Sequence, residues 1–402
     1  MSHVEAIVCG RCGRRFSPDD ATATCPAHDG PDGFLDVTYD RDAVRNRVEE
    51  QGGLPREPTD MWAFAPLLPV PDADRVSLGA GGTPLLEAPR LSDRLDARVA
   101  VKDETVNPTG SVKDRGSAVV VSRATAAGHG VVACASTGNA AASLAGYAAR
   151  AGLDCRIVVP ADLPEAKAVQ PRVYGADVLA VDGSYEDAHE YCRHRSAAEG
   201  WYDCSAGATP YAIEGTRTLG FELGLGATAP DWVVVPMGNG GTLAAAWKGL
   251  RDVERLGYLD ELPKMLGVQA AGATPIYDAF TEQESRETPA ASGTAADSID
   301  VRGPHSVARA CRALEESDGD AVVVDDGAIS QAQRLLGKSE GLFVEPASAA
   351  AVAGVEEARQ RGVVGADEKV IVVATGTGLK DTATAKAGLD EVGHVGGDID
   401  DS

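Results

Sequence analysis

The chain has 402 residues, and 61 Asp and Glu against 37 Lys and Arg leave a formal net charge of -24. Such a surface repels nucleic acid and acidic membranes. With no apolar run long enough to span a bilayer and no basic-then-apolar leader, the expectation is a cytoplasmic protein without a nucleic-acid or membrane partner.

The length suits two domains and an appendage. Acidic residues are dispersed along the chain and only nine lysines occur. This pattern fits a protein adapted to high salt, where screening over about 3 Å at 1 M weakens like-charge repulsion.

The first unit, residues 5–40, carries Cys9, Cys12, Cys25 and His28 in a C-x2-C, C-x2-H arrangement. Two knuckles presenting two ligands each can close a tetrahedral Cys3His site, so the spacing predicts a zinc-ribbon-like segment holding a structural zinc. Ribbons often bind nucleic acid, but here the arginines are set against Asp19, Asp20, Asp29, Asp32 and Asp36, leaving no basic patch. The remaining five cysteines, on apolar or helical segments, are expected to pack as small hydrophobes.

Residues 41–95, rich in Gly and Pro, predict a partly irregular connector. Beyond it, β-branched runs alternate with amphipathic stretches: RVAVKDE, VVACAST, CRIVVP, ADVLAVDG, DWVVVPMG, MLGVQAAG, DAVVVDD and KVIVVATGTG. That alternation predicts an α/β fold with parallel sheet covered by helices. The periodicity fails between Phe280 and Val301, predicting a long loop, and the acidic, Gly-rich tail 391–402 is expected to be disordered.

Several of these strands end in small-residue turns that open helices, and in an open parallel sheet such turns converge beyond the strand ends. In Gly238-Asn239-Gly240-Gly241-Thr242, missing side chains free backbone N–H groups and a helix N-terminus to cradle a phosphate. Lys113, in NPTGSVKDRG, reads alone as a salt-paired surface lysine opening a helix. Set against a phosphate cradle, it supplies the amine that a pyridoxal phosphate enzyme requires.

KDETVNPTGSVKDRG resembles the cofactor-lysine signature of the fold type II pyridoxal phosphate enzymes, the tryptophan synthase beta-like family, and within it the threonine synthases. The similarity continues in order through LLPVPDADRVSLGAGGTPLL, ACASTGNAAASLAGYAARAG, PYAIEGTRTLGFEL, PMGNGGTLAAAWKG, LGVQAAGATPI, GLFVEPASAAAVAGV and ATGTGLKDTATA, from about residue 66 to 387.

The resemblance implies two three-layer α/β domains: a large cofactor-binding one from 41–116 and 206–390, and a small mobile one from 117–205. It implies pyridoxal 5'-phosphate as cofactor, held by Lys113, Asn139, the segment Gly238, Asn239, Gly240, Gly241 and Thr242, and Thr375 at the pyridine nitrogen. Ser136, Thr137 and Gly138 would take the carboxylate of an amino-acid substrate. Lys113 would also be the catalytic acid and base, and a homodimer is expected. The implied reaction converts O-phospho-L-homoserine and water to L-threonine and phosphate.

The chain departs from that pattern at Ala140, where the family has Thr, at Ala212, where it has Arg, at Thr242 in place of Asn, and at Ala80 in place of an acid. Arg217 and Lys338 are the cations that could replace the missing arginine. Two other readings stay open. One is a paralogue acting as a serine or threonine ammonia-lyase, or by beta-replacement on phosphoserine. The other is a non-catalytic binding protein, which would have no need of the lysine.

Overall fold

The computed structural model describes residues 3–18, 24–28, 30–226, 229–282, 293–386 and 389. Asp19, Asp20 and Asp29, half of the expected long loop (283–292) and the tail 391–402 lie outside these.

Strands β1 (Val4–Cys9), β2 (Arg15–Phe16) and β3 (Leu35–Tyr39) form an antiparallel sheet in the order β2-β1-β3. The chain then forms helix α1 (Arg41–Glu50) within the stretch expected to be irregular. The Asp40 carboxylate caps it by accepting from the N–H groups of Asp42 and Ala43, and Val44 and Val48 are buried one turn apart. Two apolar residues in ten are too few for a helical period to stand out, which is why this helix escaped the sequence reading.

The second sheet is built from β4 (Leu85–Glu87), then α2 (Pro89–Leu95), β5 (Arg98–Asp103) and α3 (Lys113–Ala126), and is completed later in the chain. Between its two parts comes a smaller sheet: β6 (Val131–Ala135), α4 (Asn139–Ala151), β7 (Asp154–Pro160), α5 (Glu165–Val173), β8 (Asp177–Val181), α6 (Tyr185–Glu199) and β9 (Tyr202–Asp203). Its strands are all parallel, in the order β8-β7-β6-β9.

The chain returns through α7 (Tyr211–Thr216), α8 (Thr218–Leu225), β10 (Trp232–Pro236), α9 (Gly241–Arg255), β11 (Lys264–Ala270), α10 (Pro275–Phe280), α11 (Val307–Glu316), β12 (Asp320–Val324), α12 (Asp326–Glu340), α13 (Pro346–Gln360) and β13 (Lys369–Ala374). The large sheet runs β12-β11-β10-β13-β5-β4, parallel except for edge strand β4. All eight β-branched runs are strands.

Period-two alternation divides the large sheet between two cores. Val99, Val101, Val234, Val370 and Val372 face the helices α2, α12 and α13. Ala100, Val233, Val235, Ile371 and Val373 face α8, α9 and α11. Strands covered on both faces read as continuous apolar runs, so β10 is buried at every residue. Cys134, Cys155 and Cys192 are buried in the cores of the smaller sheet, packing as small apolar groups.

Candidate functional site

Four turns meet where strands β5, β6, β10 and β13 end, the place at which open parallel sheets expose helix N-termini. The turn after β5 ends in Ser111, which forms an antiparallel bridge with Gly376, and the Val112 N–H donates to the Thr375 carbonyl at 2.9 Å. The Thr377 N–H donates to the Gly110 carbonyl at 3.0 Å. Gly110 has φ +88° and lies against Thr377 and Lys380, so no side chain fits there. The Lys113 loop is therefore clamped along the turn after β13, and Lys113 opens α3.

Beneath it lies a buried ionic lattice. Arg115 Nε donates to Glu104 Oε2 at 2.7 Å, Arg115 NH1 to Glu222 Oε1 at 2.7 Å, and Lys102 Nζ to Glu222 Oε2 at 2.7 Å. Burial alone would raise the Glu222 carboxyl, but Arg115 and Lys102 outweigh it and hold it at about 2. Asp114 accepts from the Thr109 N–H and from Ser143 on α4. Arg115 and Asp114 thus brace the lysine's turn from below.

The Lys113 amine lies 3.4 Å from Thr242 Oγ1, joining the first turn to the glycine segment after β10. Solvent reaches the side chain from the cleft, yet protein surrounds the amine on its other sides. Burial lowers its pKa from the usual lysine value, and the Glu345 carboxylate opposes that shift.

In the glycine segment, a Cβ on Gly238 would stand 2.8 Å from the Ser298 carbonyl oxygen. Gly240 has φ +79°, and its Cβ would stand 2.8 Å from Ala310 Cβ. Gly241 has no such neighbour closer than 3.6 Å. The Asn239 side chain is spent on the loop before α11, accepting from the His305 N–H at 3.1 Å.

No side chain caps α9 at Gly240 or α4 at Gly138, so both helices present backbone N–H groups toward the turns. Gly138, Ser136 and Thr137 form the turn before α4, where the Gly138 N–H donates to Ser136 Oγ at 3.4 Å. Ala140 follows in the first turn of that helix, half-buried.

Glu345 is a functional candidate that sequence reasoning did not single out. Its side chain does not cap α13. Its Oε2 accepts from Asn139 Nδ2 at 2.8 Å and its Oε1 from Thr375 Oγ1 at 3.0 Å, while Ser348 Oγ lies 3.0 Å from the Thr375 hydroxyl. One buried carboxylate therefore links Asn139, at the end of the small sheet, to Thr375, at the end of the large one. Its signal was a Glu where Ser, Thr, Asp or Asn would cap better.

Neither cation proposed to replace the missing arginine stands free in this cleft. Arg217 is buried, with NH1 2.6 Å from Asp252 Oδ2 and Nε 3.1 Å from Glu214. Lys338 is exposed in the last turn of α12. Lys380 does come close: it packs on Gly110, its buried Nζ has no hydrogen-bond partner, and it lies in the fields of Glu345 and Asp114. Ala212 lies where α7 packs on the lysine's helix, since its carbonyl oxygen would stand 3.1 Å from a Cβ on Gly116.

Away from this cleft, the thiols of Cys9, Cys12 and Cys25 and a ring nitrogen of His28 all lie within 4.8 Å of one another. The Cys12 and Cys25 sulfurs are 3.9 Å apart, and the His28 Nε2 is buried without a partner.

A family model for pyridoxal-phosphate dependent enzymes matches residues 76–376, a span that holds Lys113, the turns after β6 and β10, and Thr375. The chain belongs to this family. Among curated proteins, the threonine synthase of Methanocaldococcus jannaschii is 39% identical over 383 residues, 94% of this chain and 93% of that protein. The threonine synthase of Synechocystis is 41% identical over 325 residues, 79% and 82% of the two chains.

Among solved structures, maize serine racemase superposes with a TM-score of 0.66 at 20% identity, covering 76% of this chain and 91% of that one. An L-serine ammonia-lyase from Rhizomucor miehei does so at 0.64 and 22%, covering 76% and 96%. At such identities the likeness establishes the fold, with its parallel-rich α/β sheets.

Proposed function

We propose that the chain is a threonine synthase, a pyridoxal phosphate-dependent lyase that converts O-phospho-L-homoserine and water to L-threonine and phosphate. The observation that carries this reading is the Lys113 amine at the mouth of the glycine cradle, 3.4 Å from Thr242, in a chain about two-fifths identical to threonine synthases over almost its whole length.

The residues present fit pyridoxal 5'-phosphate. The uncapped N-terminus of α9 at Gly240, Gly241 and Thr242 suits its phosphate, Lys113 its aldehyde, and Thr375 its ring nitrogen. Bound there, the cofactor supplies an electron sink for negative charge developed beside the substrate's amino group.

The chain's own side chains do the rest. Lys113, eased toward its neutral form, accepts and returns protons at the substrate's Cα and Cβ. Ser136, Thr137 and the uncapped start of α4 hold the carboxylate. Asn139 and Thr375, both hydrogen-bonded to Glu345, would hold the cofactor's ring and set its orientation. Lys380 is the cation available for the substrate's phosphate, since Ala212 offers none and Arg217 is committed elsewhere.

The deciding experiment is a steady-state assay of O-phosphohomoserine against phosphoserine, serine and threonine, following phosphate and ketoacid together. Phosphate and threonine from O-phosphohomoserine are expected; ketoacid formed more efficiently from serine or threonine would replace this reading with an ammonia-lyase. A visible absorbance band that vanishes in Lys113→Ala is expected as well, and a colourless wild-type protein would refute the cofactor assignment.

Cys9, Cys12, Cys25 and His28 hold a structural zinc in this proposal, which gives the orphaned His28 nitrogen its partner. One zinc per chain by elemental analysis is expected, with a lower melting temperature after chelation. A homodimer in the cytoplasm completes the proposal, and sedimentation velocity checks the assembly.

A further inference from the structure

A cavity of about 830 Å³ lies between the N-terminal sheet, α1, α9 and α11, and none of the residues assigned above to the cofactor or substrate lines it. Its lining inverts the character of the whole molecule. Acidic residues outnumber basic ones by 61 to 37 in the chain, yet here nine lining side chains are cationic and six anionic.

On α9, Lys248 is paired with Glu214 and Arg251 with Glu316, but three arginines of α1 and α9 are poorly neutralised. Arg41 has no ion-pair partner among the described residues, and Arg45 reaches Asp42 only at 4.0 Å. Arg255 reaches Asp252 at 3.7 Å, but the other oxygen of that carboxylate already serves Arg217 at 2.6 Å. Burial and the neighbouring guanidiniums of Arg251 and Arg41 together push the Arg255 pKa down. Below this rim the floor is apolar, formed by Val44, Leu67, Ile213, Ala244 and Leu256.

We infer that this cleft is a second ligand site, built for a small molecule of nucleotide size that carries a di- or triphosphate and an apolar-faced ring. Two adjacent phosphates bring about three negative charges, a match for Arg41, Arg45 and Arg255, and guanidiniums receive phosphate oxygens in a fork. The volume is that of an ordinary small-molecule pocket, and the apolar floor gives the ring a surface to lie on. Ile213 lines this cleft and is also the neighbour nearest to Gly241, so it forms part of the wall between the two sites. This inference rests on the cleft alone and does not depend on which amino acid the enzyme uses.

The test is calorimetric titration of the cofactor-loaded protein with ATP, pyrophosphate and adenosine, in about 0.1 M and about 1 M KCl. One ATP per chain is expected to bind, more tightly than pyrophosphate and more weakly at high salt. Adenosine is expected to bind least. Arg251→Ala with Arg255→Ala should weaken ATP by at least about tenfold while leaving threonine formation unchanged. Arg41→Ala, on the exposed start of α1, should weaken it without touching α9.

No saturable binding of ATP or pyrophosphate would overturn the site. Binding undiminished in all these variants would overturn it too, since the ligand would then occupy the cofactor or substrate phosphate pockets. Pyrophosphate binding as tightly as ATP would remove the ring from the inference.

Discussion

Two amines meet at the cleft, and burial lowers the pKa of both. For Lys113 the opposing influence is Glu345 alone; for Lys380 it is Glu345 and Asp114. Glu345→Gln removes the charge that favours the ammonium, so the neutral amine should prevail from a lower pH. The midpoint of cofactor uptake against pH is then expected to fall below that of the wild type, and a rise would contradict the role assigned to the carboxylate.

Lys380 makes a different prediction, because a buried ammonium without a hydrogen bond carries an unrelieved desolvation cost. Lys380→Met keeps the length of the side chain and removes the charge. The melting temperature should hold or rise, while KM for O-phosphohomoserine increases about tenfold or more through loss of a charge-assisted contact. A lower melting temperature with unchanged KM would mark Lys380 as structural. Lys113 was legible in the sequence through its motif. Glu345 and Lys380 were not, because the partners of Glu345 come from residues 139 and 375 and the neighbours of Lys380 from residues 110 and 114.

Among the elements, the helix that carries Lys113 depends most on contacts distant in sequence. Arg115, on its first turn, is fully buried between Glu104, which follows β5, and Glu222 on α8. Breaking one member of a buried ionic set strands the others. Arg115→Met or Glu222→Gln is therefore expected to cost about 3 to 5 kcal/mol in chemical denaturation.

The pH dependence has a definite sign. The Glu222 carboxyl is depressed to about 2, so its stabilisation is complete above the ordinary carboxylate range and is lost as pH falls toward 2. In Glu222→Gln the slope of stability against pH should flatten across that window.

The strands beneath this helix were readable because β-branched runs buried on both faces leave a strong local mark. The lattice left none, since Glu104, Arg115 and Glu222 look like ordinary charged residues until the fold brings them together. Close backbone approach is equally silent: a Cβ on Gly215 would stand 1.9 Å from the Arg115 carbonyl oxygen, and one on Gly220 2.1 Å from that of Ala246. These glycines let α7 press on α3 and α8 on α9, yet as letters they read only as weak helix formers.

At the scale of the whole molecule, the charge of -24 sets terms that no single contact reveals. Most ion pairs outside the Arg115 lattice and the Arg217 cluster are exposed, as with Arg11 and Asp32 or Arg15 and Glu5, and such pairs contribute little. The excess of carboxylates therefore acts mainly as self-repulsion, which opposes the compact state.

Repulsion between charges more than about 10 Å apart survives at low ionic strength and is screened within about 3 Å at 1 M. The buried lattice under Lys113, shielded from ions, should change little over the same range. The melting temperature is thus expected to climb steeply as KCl is raised, with NaCl matching KCl at equal ionic strength, because screening depends on ionic strength rather than ion identity. A non-ionic osmolyte separates screening from general exclusion at the surface: if sucrose reproduces the whole effect, or if the melting temperature is flat in KCl, salt adaptation is not what the composition encodes.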